Sequence, residues 1–168
     1  MKRAALVLMS LFAAASAQAG VEARFAFAFA SPGTPVHYVY RLALVSGSLE
    51  PGAEVSQHVT LYDIPSLIAD SVTCPPGWTA SVQGRGIDAD DIPINGKQDA
   101  KGLLNVTCRY TGSASIIAPF ELGTMTFNVD VDGGGVTSGS RIFAGQSSTF
   151  FGARGLIGRI NGPTGVTP

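Results

Sequence analysis

The stretch TMTFNVDVD, residues 124–132, alternates polar and apolar side chains without a break. Successive side chains of an extended chain point to opposite faces, so a period of two marks a half-buried β-strand, whereas an amphipathic helix repeats about every 3.6 residues. Met125, Phe127, Val129 and Val131 then face one way, and Thr126, Asn128, Asp130 and Asp132 the other. The same period runs outward along the chain in both directions. In LLNVTCRY, residues 103–110, Leu104, Val106, Cys108 and Tyr110 oppose Asn105, Thr107 and Arg109. Val55, Val59 and Leu61 share a face in VSQHVTLY, and Val36, Tyr38, Tyr40, Leu42 and Leu44 do so in VHYVYRLAL. Phe25, Phe27 and Phe29 alternate with alanines in RFAFAFA.

Between these runs lie reversals with a mechanism. Proline presets φ at the second position of a turn, and glycine accepts a positive φ at the third. Ser31-Pro32-Gly33-Thr34, Glu50-Pro51-Gly52-Ala53 and Pro75-Pro76-Gly77-Trp78 all fit this type II pattern, and Asn95-Gly96 and Gly133-Gly134-Gly135 mark further turns. Only IPSLIAD, residues 64–70, suggests a helical turn. Many short strands joined by Pro and Gly turns predict an all-β protein, an antiparallel β-sandwich of a single domain.

The N-terminus sets the compartment. Lys2 and Arg3 precede an apolar run from Ala4 to Ala15, and Ala17-Gln18-Ala19 supplies the small residues of a peptidase site. The expectation is a signal peptide over 1–19, cleaved after Ala19, because the run falls short of the about 20 apolar residues that span a membrane. A β-sandwich domain over 20–152 and a Gly/Pro-rich tail or linker over 153–168 follow. Without the leader, 9 basic side chains face 12 acidic ones, a formal charge of −3. No clustered Lys and Arg are present to neutralise phosphates, which argues against nucleic acid as a partner. No later run is long enough to cross a membrane as a helix.

Cys74 and Cys108 are the two cysteines of the chain. A pair delivered to an oxidising compartment bridges, and the spacing lacks the Cys-x-x-Cys form of redox pairs. Trp78, the one tryptophan, is read as packing beside the disulfide, with a sugar-stacking platform as the functional alternative; Tyr62 and Tyr110 are the candidate second aromatics. Asp88, Asp90, Asp91, Asn95 and Asp99 offer oxygen ligands within GIDADDIPINGKQD, a weak calcium candidate. They do not fit an EF-hand: with Asp91 at loop position 1, position 3 is Pro93 and position 12 is Gly102. The default reading is a solvated acidic loop, no metal and no cofactor.

Catalytic spacings are missing: no Gly-x-Ser-x-Gly elbow, no His-Glu-x-x-His and no phosphate-binding glycine loop occurs. His37 and His58 fall on the polar sides of their strands and read as solvated surface residues. Asn105-Val106-Thr107 matches a glycosylation sequon, a chance match in a chain whose short leader is of bacterial type.

At VTLYDIPSLI, PPGWTASVQGRGI, VTCRYTG and APFELGTMTF, within residues 36–132, the chain resembles a group of uncharacterised bacterial exported proteins that often carry a PEP-CTERM sorting tail. The resemblance implies one extracytoplasmic β-sandwich, broadly like cohesin or immunoglobulin-type domains, and brings no catalytic residues. The sorting tail itself is absent; GRINGPTGVTP resembles the linker that precedes one, so the expectation is free release or an anchor beyond residue 168. Together these readings predict a secreted or cell-envelope, non-enzymatic structural or interaction module. Its conceivable partners are extracellular polysaccharide or another surface protein. A carbohydrate-binding or calcium-stabilised adhesion module is the alternative, and a small secreted hydrolase ranks behind both.

Overall fold

A computed structural model describes residues 20–31, 33–54, 56–84, 102–130, 136–149 and 152–166. The leader over 1–19, the acidic stretch with Asp88, Asp90, Asp91, Asn95 and Asp99, and the Asn95-Gly96 and Gly133–Gly135 turns lie outside them. The chain forms strands β1 (Gly20–Phe29), β2 (Val36–Ser46), β3 (Ser48–Leu49), β4 (His58–Ile64), β5 (Leu67–Thr73) and β6 (Trp78–Gln83). It continues with β7 (Leu104–Tyr110), β8 (Ile116–Ile117), β9 (Phe120–Val129), β10 (Val136–Thr149) and β11 (Gly152–Val166). One sheet has the order β1-β2-β9-β5, the other β6-β7-β4-β10-β3-β8 with β11 paired to β10. Every pairing is antiparallel. The fold is the expected all-β sandwich.

All three Pro-Gly turns form as the sequence dictates. Thr34 N donates to Ser31 O at 3.0 Å, Ala53 N to Glu50 O at 3.4 Å and Trp78 N to Pro75 O at 3.1 Å. The third-position glycines Gly33, Gly52 and Gly77 take φ of 75°, 64° and 79°, which a side chain at Cβ would resist. IPSLIAD is no helical turn. Pro65 and Ser66 carry the chain from β4 in one sheet to β5 in the other, with Ser66 at φ 51° and its carbonyl accepting from Asp130 N at 2.9 Å.

The inward faces are those of the alternating pattern. Tyr38, Tyr40, Leu42 and Leu44 from β2 meet Met125, Phe127 and Val129 from β9 and Val59, Leu61, Val106 and Cys108 from the opposite sheet, all buried. Phe127 lies stacked near both Tyr38 and Tyr40, with ring centroids 5.6 Å away in each case. Cys74, just after β5, is bonded to Cys108 in β7, with Cα atoms 5.8 Å apart. The disulfide therefore ties the two sheets together. A bonded pair of this kind is compatible with an extracytoplasmic location.

At two further places the structure differs from the expectation. Of the segment expected as a tail or linker over 153–168, residues 153–166 form a strand, because β11 pairs with β10 from Thr149↔Gly152 to Val136↔Val166. Glycine and proline mask a strand in sequence, but ladder bonds use the backbone, and an edge strand tolerates proline at an irregularity. Pro163 sits opposite Ser138 at such a shift. His58, read as solvated, is fully buried, with Nδ1 3.2 Å from Ser56 Oγ. Its strand β4 is buried on both faces: Thr60 and Thr107 are paired across the outer face at 2.8 Å and both are inaccessible. Alternation says which side a residue faces, not whether that side is open to water.

Candidate functional site

β1 contains the irregularity that creates the site. Phe25 lies opposite Tyr40, yet Phe27 lies opposite Val39, so Ala26 is one extra residue on β1. Such a bulge shifts the phase of side-chain alternation by one. Phe25 accordingly packs inward, its ring 5.7 Å from that of Tyr40 and 6.4 Å from that of Tyr38. Beyond the bulge Ala28 faces Tyr38, while Phe27 and Phe29 are turned to the outer face beside Val39 and His37. Phe27 is 51% and Phe29 57% exposed, although all three phenylalanines alternate with alanine in sequence.

The outer face of the four-stranded sheet continues this corner with polar groups. Across the strands one row reads Phe29, His37, Asn128, Ile68, and the next Phe27, Val39, Thr126, Thr73. The Phe27 and Phe29 rings are 6.0 Å apart with an interplanar angle of 32°, and Phe29 lies 5.0 Å from the His37 ring. His37 Nδ1 is 2.7 Å from Asn128 Oδ1. With the amide oxygen as acceptor, Nδ1 carries the proton of this bond. Asn128 is itself fixed, its backbone N donating to Ser71 Oγ at 2.8 Å, and Thr73 and Thr126 share a hydroxyl bond of 2.6 Å. The corner is thus two exposed rings bordered by an ordered hydrogen-bonding row.

Clefts lined by described residues lie elsewhere. One of about 350 Å³ runs between Glu22–Phe25 of β1 and Arg159–Asn161 of β11. Another of about 360 Å³ lies beside Pro119 and Phe120, and the third, of about 150 Å³, lies beside Glu50, Gln57 and Arg109. Arg24 borders the first two and is neutralised by Glu22 at 2.8 Å, with Glu121 at 3.9 Å. Hydrogen bonds from Ser115 and Ser48 hold the Glu50 carboxyl below its usual range. None of the three clefts is lined by Phe27 or Phe29.

Trp78 is half-buried against the core with its ring edge-on to Tyr110 at 5.5 Å, next to the disulfide-bearing strand. Tyr110 is therefore the aromatic that stands beside it, held by a hydrogen bond to Ala114 O, while Tyr62 is buried in β4. Asn105, of the sequon, is also buried and accepts from Asp63 N at 3.0 Å, so it offers no accessible amide. Among the described residues no three His, Cys, Asp or Glu side chains cluster to hold a metal. No helix among them is long and apolar enough to cross a membrane.

The exposed phenylalanine pair escaped sequence reasoning, because RFAFAFA alternates perfectly and the bulge exists only in its pairing with β2. Comparison of the chain with protein-family models, with curated proteins and with solved structures found no match.

Proposed function

We propose that this protein is an exported, non-enzymatic β-sandwich that acts at the cell surface or in the extracellular matrix as a structural or binding module. Its contact surface is the outer face of the β1-β2-β9-β5 sheet. The observation that carries this reading is the bulge at Ala26, which places two large apolar rings in solvent beside an ordered polar row. Burying them inward would favour folding, since each phenylalanine is worth about 1.5–3 kcal/mol when removed from water. Exposed aromatic pairs with polar borders are characteristic of binding faces. Export is supported by the leader-like residues 1–19 and by the bond between Cys74 and Cys108. The likeness of residues 36–132 to PEP-CTERM-bearing exported proteins points the same way.

The test is fractionation of producing cells into cytoplasm, envelope and medium, with thiol alkylation before and after reduction. The expected result is an extracytoplasmic, disulfide-bonded chain starting at Gly20, retained on the envelope or matrix, with the F27S/F29S double variant released into the medium. A cytoplasmic chain with free thiols, or a double variant distributed as the wild type, overturns the reading.

A further inference from the structure

We propose that the Phe27, Phe29 and His37 corner binds a neutral polysaccharide chain laid across the sheet, which deepens the reading above and rests on it. Three properties of the corner select this class of partner. The first is size. About half of each ring is exposed, and an aromatic side chain has roughly 200 Å² of surface, so the apolar platform is about 200 Å² in all. That is far below the roughly 800 Å² per partner of a stable protein interface, but it suits one face of a few sugar rings. The bulge at Ala26 also interrupts β1, the terminal strand of its sheet, which discourages pairing with the same strand of a second copy.

The second property is amphipathy at short range. A pyranose ring presents C–H bonds on one face and hydroxyls around its rim. The C–H hydrogens complement the negative face of a phenyl ring. The hydroxyls need fixed partners within the next strand spacing of about 4.8 Å. His37 sits on that next strand directly opposite Phe29, oriented through Nδ1 by Asn128, with Nε2 as the ring nitrogen that would bond a hydroxyl. Thr126 and Thr73 continue the polar row beyond Val39. A lipid surface would meet this row as a desolvation cost.

The third property is charge. The described residues include no lysine. On this face Arg41 follows Val39 on β2, and Arg24 beyond it is already paired with Glu22. Among the described residues nothing gathers positive charge around the rings, so an anionic polymer or an anionic membrane gains little from them. Phe27 and Phe29 line none of the three clefts, which further favours a chain that runs across the sheet over a small molecule that would seek an enclosing pocket.

The experiment is affinity electrophoresis of the purified, oxidised protein in gels containing dextran, hydroxyethyl cellulose, a β-1,3-glucan or a galactomannan, with alginate as the anionic comparison. Co-sedimentation with phosphatidylglycerol vesicles and sedimentation velocity of the protein alone complete it. Retardation by at least one neutral polymer is expected, weakened about tenfold in F27S or F29S and abolished in the double variant. His37→Ala should weaken it as well, and all variants should keep a cooperative melting transition and the wild-type near-UV spectrum. Trp78→Phe should leave retardation unchanged.

No retardation by any neutral polymer overturns the proposal. So does retardation that survives F27S/F29S, binding to alginate or vesicles alone, or self-association that the double variant relieves. If the double variant is released from the envelope in the fractionation test while no neutral polymer binds, the binding face stands and the sugar assignment fails.

Discussion

Gly145 of β10 lies opposite Val59 and directly beneath β1, where a Cβ would meet the Val21 carbonyl oxygen at 1.7 Å and its carbon at 2.7 Å. An ordinary carbon to oxygen contact is about 3.3 Å, so in Gly145→Ala the two backbones must separate by about 1.5 Å. No side chain can swing aside, because the obstacle is main chain, and Val21 is held to Leu44 in the β1–β2 ladder. Overpacking of this kind costs about 1–3 kcal/mol. A gap of even 0.5–1 Å along the fully buried Val21 forfeits a further quarter to half of its dispersion contacts, by the usual ~6–12 potential. The expected loss is about 3 kcal/mol or more, a fall in melting temperature of about 6–12 °C for a domain of this size. Gly52→Ala is the control: its φ is 64° with nothing within 4 Å, so only left-handed strain of about 1–2 kcal/mol applies. Urea denaturation followed by the single tryptophan, on oxidised protein, measures both. If Gly145→Ala costs less than about 1 kcal/mol, or no more than Gly52→Ala, β1 does not cross β10 at this contact and the account of how the sandwich closes is wrong.

Reduction of the disulfide releases the loop closed by Cys74 and Cys108, which are 34 positions apart, and chain entropy puts its cost at about 4 kcal/mol; equal urea midpoints with and without reductant would contradict this. Phe127→Ala empties the space beside Tyr38 and Tyr40 and should cost about 3–5 kcal/mol, read in the same assay. The Glu50 carboxyl is held low by Ser115 and Ser48, so its stabilising effect is complete above the ordinary carboxylate range and is lost as pH falls through the lowered value. Glu50→Gln should therefore lower the midpoint slightly at pH 7 and progressively less as pH falls through the lowered value, and an equal loss throughout would show that hydrogen bonding to the charged form is not the cause.

Much of this architecture was determined locally. Period two in 124–132, 103–110 and 36–44 is a property of the extended backbone itself, so it predicted strands β9, β7 and β2 and their inward residues. The three type II turns depend on four consecutive residues each and formed where Pro-Gly stands. With two cysteines and a leader-like start, the disulfide had one partner choice. What the chain could not show locally depends on which strand lies beside which. His58 sits on the polar side of β4 yet is buried, because the outer face of that strand is closed to water. Residues 152–166 carry no strand signal, yet they pair with β10 through backbone groups that every non-proline residue supplies. Above all, Phe25, Phe27 and Phe29 are equivalent in sequence. Only the register between β1 and β2 inserts the extra residue at Ala26 and turns the last two outward. Side-chain alternation is set by bonds within one strand. Bulges, burial on the second face and closure of the sandwich are set by contacts between segments far apart in the chain, and those exist only once it has folded.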